Sequence, residues 1–105
     1  ATRHVGDDPN NFNQPVDMIT LDTFFPSGTR VQNLKIDVQG NELYVLKGAR
    51  RLLTENKDRL HLRLEYQEDL IQAAGLNPQD VLRYVKSLGY KEVKREGSDI
   101  DWRAE

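Results

Sequence analysis

Leu34-Lys35-Ile36-Asp37-Val38-Gln39-Gly40-Asn41-Glu42-Leu43-Tyr44-Val45-Leu46-Lys47-Gly48-Ala49 reads as a buried strand, a tight turn and a helix. The strand runs from Leu34 to Val38, where aliphatic and β-branched side chains suit a pleated surface. Gln39-Gly40 is the turn, because glycine accepts backbone angles that other residues avoid. Asn41 is placed to cap the helix through its side-chain oxygen, and Glu42 puts a negative charge against the positive end of the helix dipole. Leu43, Leu46, Ala49 and Leu53, with Val45 and Leu52 beside them, form an apolar face at helical spacing. Asp37 stands one residue from the end of the strand. Open α/β sheets bind ligands outside the carboxyl ends of their strands, so Asp37 is the first candidate functional residue.

The surroundings of this unit bound what it serves. The chain has 105 residues, enough for one small domain with a modest core. Its formal net charge is −2, so no global field points to nucleic acid or to an anionic membrane. No apolar run approaches the length a membrane span needs, which is roughly 20 residues. There is no cysteine, hence no disulfide and no thiolate metal site, which fits a cytoplasmic protein. Residues 1–15 are polar, carry Gly6, Pro9 and Pro15, and read as an N-terminal arm. His4, Asp7 and Asp8 lie there, read as part of a solvated arm rather than a metal site. Val16 to Leu21 is strand-like, although Thr20 or Asp22 can equally start a short helical turn before Pro26. Lys47, Arg50 and Arg51 suit the C-terminal half of the signature helix, as a solvated face rather than a phosphate site.

Downstream, Leu60 to Tyr66 alternates. Leu60, Leu62, Leu64 and Tyr66 share one face, and His61, Arg63 and Glu65 the other. A parallel strand buried on both sides would be apolar on both, so this strand is expected to be partly uncovered or near an edge. Glu68 to Ala74 suits a short helix ended by Gly75. The next helix is capped by Asn77, has Pro78 at its first position and stops at Gly89. Tyr90 to Arg95 and Ile100 to Ala104, joined by Gly97-Ser98, suit an antiparallel hairpin. Alternating strands and helices argue for a layered α/β sheet with parallel neighbours.

The gap-free pattern Lys35-Ile36-Asp37-Val38-x-Gly40-x-Glu42-Leu43-x-Val45-Leu46-Lys47-Gly48-Ala49 resembles the signature of the FkbM family of S-adenosylmethionine-dependent methyltransferases. Gln39 departs from the glutamate usual there. The likeness extends to Ile19-Thr20-Leu21-Asp22 upstream and to Leu62-Arg63-Leu64-Glu65 downstream, roughly residues 16 to 90. It implies the C-terminal half of a Rossmann-like class I methyltransferase fold over residues 16–105, mostly parallel with an antiparallel last strand. It implies O-methyl transfer to a small-molecule or sugar hydroxyl. Asp37 and Glu65, closing adjacent parallel strands, are the candidate catalytic carboxylates. Asp22 and Glu42 are the candidate cofactor-binding acids, and no metal ligand set is assigned. Asp22 alternatively caps its own turn.

Such a domain begins with a strand and a glycine-rich turn that holds the cofactor. The seven glycines here form no G-x-G-x-x-G cluster after a strand. Cofactor binding by this chain alone is therefore the weakest expectation. A half-sheet also leaves an open strand edge, and open edges tend to pair with other chains, so the sequence admits a homodimer through that edge or a monomer with a flattened or rearranged half-fold. The second reading of the sequence is a non-catalytic half-domain that acts through self-association or partner binding.

Overall fold

The computed structural model describes residues 20–105. The arm with His4, Asp7 and Asp8, and the stretch from Val16 to Ile19, lie outside the described residues. The chain is already turning where the expected first strand would end. α1 spans Leu21–Phe24, and Thr20 caps it by accepting the Thr23 N–H at 3.1 Å. The helical alternative thus holds from Thr20 onward.

β1 (Asn33–Ile36) leads through the Gln39-Gly40 turn into α2 (Glu42–Lys47) and α3 (Arg50–Glu55). β2 (His61–Glu65) follows, then α4 (Glu68–Ala73) and α5 (Pro78–Ser87), and the hairpin of β3 (Tyr90–Glu96) and β4 (Asp99–Ala104) ends the chain. The signature helix is therefore two helices, not one. The break at Gly48-Ala49 is made by α1. Asp22 donates its N–H to the Gly48 carbonyl at 2.8 Å, and its carboxylate accepts the N–H groups of Arg51 at 2.8 Å and Leu52 at 2.9 Å. Asp22 so caps the first turn of α3, where backbone donors lack helical partners. Gly48 is small because Thr20 crosses it: a Cβ there would stand 2.9 Å from Thr20 Cβ.

The sheet order is β1-β2-β4-β3. β1 and β2 pair in parallel, with Ile36 opposite Leu64, whereas β4 is antiparallel to both β2 and β3. It follows that β1, β2 and β3 run one way and only β4 runs against them. The expectation of a mostly parallel sheet is corrected at the level of pairing: one ladder is parallel and two are antiparallel. The cause is the hairpin. Its second strand folds back into the gap beside β2 and displaces β3 to the outside.

One face of the sheet carries the core. Ile36, Leu62, Leu64, Ile100 and Trp102 meet Leu43, Leu46, Leu52, Leu53, Ile71, Val81 and Val85, all buried. Each such side chain contributes about 1.5–3 kcal/mol by leaving water. The opposite face is polar and half-exposed along β2, which is an interior strand with one uncovered side rather than an edge. There Arg63 grips its cross-strand partner Asp101 with two bonds of 2.7 and 3.1 Å, and His61 Nε2 lies 3.5 Å from the same carboxylate. The hydrogen-bonding guanidinium holds Asp101 below the usual carboxylate range, which is how a buried acid stays charged.

Both edges carry charge. β3 has a bulge between Glu92 and Lys94 and a row of exposed Lys, Arg and Glu side chains, features that discourage pairing. β1 is four residues long, with exposed Lys35, and among the described residues it pairs only with β2.

Candidate functional site

The carboxyl ends of β1 and β2 meet as the sequence pattern requires. The ladder holds Ile36 beside Leu64, so Asp37 and Glu65 project from the same rim, one residue beyond. The two acids stand at neighbouring strand ends, near enough for Asp37 to act on the titration of Glu65. Each acid is backed by a glutamine two residues on. Gln67 Nε2 donates to Glu65 Oε1 at 2.7 Å, and Gln39 Nε2 approaches Asp37 Oδ1 at 3.4 Å. The two strand ends thus repeat an acid-x-Gln pattern, Asp37-Val38-Gln39 and Glu65-Tyr66-Gln67.

Two carboxylates so close do not both ionise freely. The hydrogen bond with Asp37 is the largest cause that raises the pKa of Glu65 above its ordinary 4.5. Partial burial and the charges of Asp37 and Asp99 act in the same direction, and Lys35 opposes them. The folded state therefore binds a proton at Glu65 more tightly than the unfolded chain does. The stability linked to that proton is complete below 4.5 and is lost as pH rises through the raised value. Asp37→Asn removes the repulsion, so the variant gains stability relative to the parent chain as pH rises from about 4 to 7. Urea unfolding of both proteins across that window measures the divergence; parallel curves would refute the coupling.

The other two candidate acids are turned inward. Asp22 is taken up by the N–H groups of α3, as described above. Glu42 is only 2% exposed; its Oε2 accepts the Val38 N–H at 3.1 Å, and its Oε1 has no hydrogen-bond partner. Asn41 occupies the cap position of α2, but its side chain makes no capping bond. Its backbone (φ −99°, ψ 22°) departs from the extended conformation that aims a cap side chain at the helix. The structure thus brings Asp37 and Glu65 together at the rim and places Glu42 beneath the turn. Among the described residues, no group of three or more His, Asp or Glu side chains is arranged to hold a metal ion.

Two details were not legible in the sequence. Gln39 adopts φ +56°, a left-handed conformation uncommon outside glycine, and Gly40 follows at φ +99°. Only the glycine was a legible signal. Asn56, which no motif singled out, is fully buried and makes four side-chain hydrogen bonds. The basic cluster is also divided: Lys47 and Arg50 are exposed, whereas Arg51 donates to the carbonyls of Asp22 and Phe25 and to Glu55.

The chain is thus a mixed α/β domain with two acids at the ends of adjacent parallel strands. The family model described as the methyltransferase FkbM domain matches residues 2–92. That is most of the chain, and the chain belongs to the FkbM methyltransferase family. Searches of curated proteins and of solved structures return no match. No helix among the described residues is long and apolar enough to cross a membrane.

Proposed function

We propose that this chain forms the acceptor side of an S-adenosylmethionine-dependent O-methyltransferase site, with Asp37 and Glu65 as its working carboxylates. The observation that carries the reading is the placement of Asp37 and Glu65 at the ends of the adjacent parallel strands β1 and β2, in a chain of the FkbM family. S-adenosylmethionine supplies an electrophilic methyl group on a cationic sulfonium. The chemistry of the rim fits that charge, since two acids face the position where a ligand of this sheet would sit. The residues that would grip the methionine and ribose ends of the cofactor find no counterpart among the described residues.

The protein's own contribution is to the acceptor. A hydroxyl must be oriented toward the methyl group and must lose its proton as the new bond forms. In this reading Asp37 and Glu65 do both. One carboxylate accepts the hydroxyl hydrogen while the other shares the charge, and the raised pKa of Glu65 makes it a better proton acceptor than an ordinary glutamate. Gln67 donates to Glu65, and Gln39 lies beside Asp37. The family likeness makes the acceptor a small-molecule or sugar hydroxyl.

The test compares two ligands that differ by one methyl group and one positive charge. Amide NMR spectra of the chain are recorded with S-adenosylmethionine and with its demethylated product, which lacks the sulfonium, each to millimolar concentration. The expected result is shifts confined to residues 37–41 and 65–68, larger for the sulfonium and lost in Asp37→Asn. Shifts elsewhere, or none, would overturn the placement of the site.

A further inference from the structure

Asp37 and Glu65 are anchored differently. Glu65 is still inside the sheet: it pairs with Asp99 of β4, and the next residue, Tyr66, donates its N–H to the Ser98 carbonyl at 2.7 Å. Asp37 has left the sheet. The last registered pair of the parallel ladder is Ile36 with Leu64, and the peptide joining Asp37 to Val38 lies beyond it. Something other than the sheet must set the orientation of that peptide, and with it the direction in which Asp37 projects.

We propose that Glu42 is a positioning residue for Asp37, its buried carboxylate taking the place of a ladder partner for the Val38 N–H. Three observations support this. First, Glu42 is 2% exposed, and its Oε2 accepts the Val38 N–H at 3.1 Å. Burying a carboxylate is costly, and one oxygen here has no partner at all. A buried polar atom left without a partner in a folded protein calls for a physical reason. Second, the turn it closes is strained at Gln39, whose φ of +56° is left-handed in a non-glycine residue and persists only where the surroundings enforce it. Third, Val38 is held at both its polar groups, because its carbonyl accepts the Asn41 N–H at 3.3 Å while its N–H goes to Glu42. The first turn of α2 thus reaches back and locks the strand end that precedes it. In this arrangement Glu42 touches no ligand. It acts through Val38 on Asp37, and so on the separation of the two carboxyl groups.

The structural half of this inference stands without any ligand; its catalytic consequence rests on the role proposed for Asp37. The test is therefore made on the free chain. The titration of the Glu65 carboxyl, followed by carbon NMR, reports how close Asp37 lies, with Asp99 and Lys35 as the other charges acting on it. Glu42→Gln keeps an oxygen acceptor for the Val38 N–H and should leave the raised Glu65 titration in place. Glu42→Leu removes the acceptor and should lower the Glu65 titration toward its value in Asp37→Asn. A folded Glu42→Leu chain with the Glu65 titration unchanged would make Glu42 a merely structural residue and overturn the proposal. Should Glu42→Leu not fold, hydrogen exchange in the parent chain decides. A Val38 amide protected as strongly as its β1 neighbours supports the clamp, and exchange at the rate of an unstructured peptide overturns it. Failure of the ligand titration above, with these results intact, would disprove the proposed function and leave the positioning role standing.

Discussion

Gly40→Ala destabilises the protein by about 3 kcal/mol or more, a fall in Tm of roughly 12 °C or beyond for a domain of this size. Two costs combine. At φ +99° an alanine is strained wherever it stands. The added Cβ would also meet the Leu70 carbonyl oxygen well inside van der Waals contact, with the Leu70 carbonyl carbon at 2.6 Å. Both are backbone atoms of α4, so no side-chain rotation relieves the clash. Gly75→Ala separates the two effects. Gly75 has φ +83°, and no atom stands within 4 Å of the place a Cβ would take, so it carries strain alone, about 1 kcal/mol. Thermal unfolding of the two variants measures the difference. Equal losses would show that the β1–α2 turn does not rest on α4. Because Gly40 lies between Asp37 and Glu42, the variant should also disturb the rim.

Asn56→Leu is expected to cost about 3 kcal/mol despite the similar size of the two side chains. Asn56 stands at the end of α3 with no exposed surface. Its Oδ1 accepts the Val31 N–H at 2.8 Å and Arg59 Nη1 at 2.9 Å, and its Nδ2 donates to the carbonyls of Thr29 at 3.0 Å and Leu52 at 2.9 Å. Every one of its polar valences is engaged, and the segment before β1 is tied to α3 through it. Leucine fills the space and leaves the Val31 N–H and the Thr29 carbonyl without that partner. Asn56→Asp should be as damaging near neutral pH, since a carboxylate oxygen would then face two carbonyl oxygens. Protonation restores one donor, so Asn56→Asp should recover part of its loss on acidification, whereas Asn56→Leu should not. Urea unfolding at two pH values distinguishes the variants. Parallel behaviour would mean that the donor role of Nδ2 contributes little.

These two positions show where the sequence was legible. Gly40 was marked as a turn because glycine after a strand is a local signal, but the Leu70 carbonyl that excludes a side chain comes from a helix 30 positions on. Asn56 gave no signal, because an asparagine among polar neighbours looks the same in sequence whether it faces water or four buried partners. The best-read elements were those whose evidence is local. α5 has its cap at Asn77, which accepts the Gln79 N–H at 3.0 Å, its proline at the first position and Gly89 at φ +95° just past its end. β2 shows the alternation of buried and half-exposed residues that its sequence displays. Asp37 and Glu65 were both legible as strand-end acids, and parallel pairing alone suffices to bring them to one rim.

By itself, then, the sequence determined the alternation of strands and helices, the family signature, the one-sided burial of β2 and the pair of acids at the strand ends. Each rests on interactions within a few residues or on a periodicity that repeats along the chain. The tertiary structure decided the rest. It placed β4 between β2 and β3, broke the signature helix through an aspartate 29 positions before Arg51, and turned Glu42 inward under the Val38 peptide. Those outcomes depend on which distant backbone donors are left without partners once the layers pack. No local pattern records that, because a buried N–H takes whichever acceptor the fold brings to it.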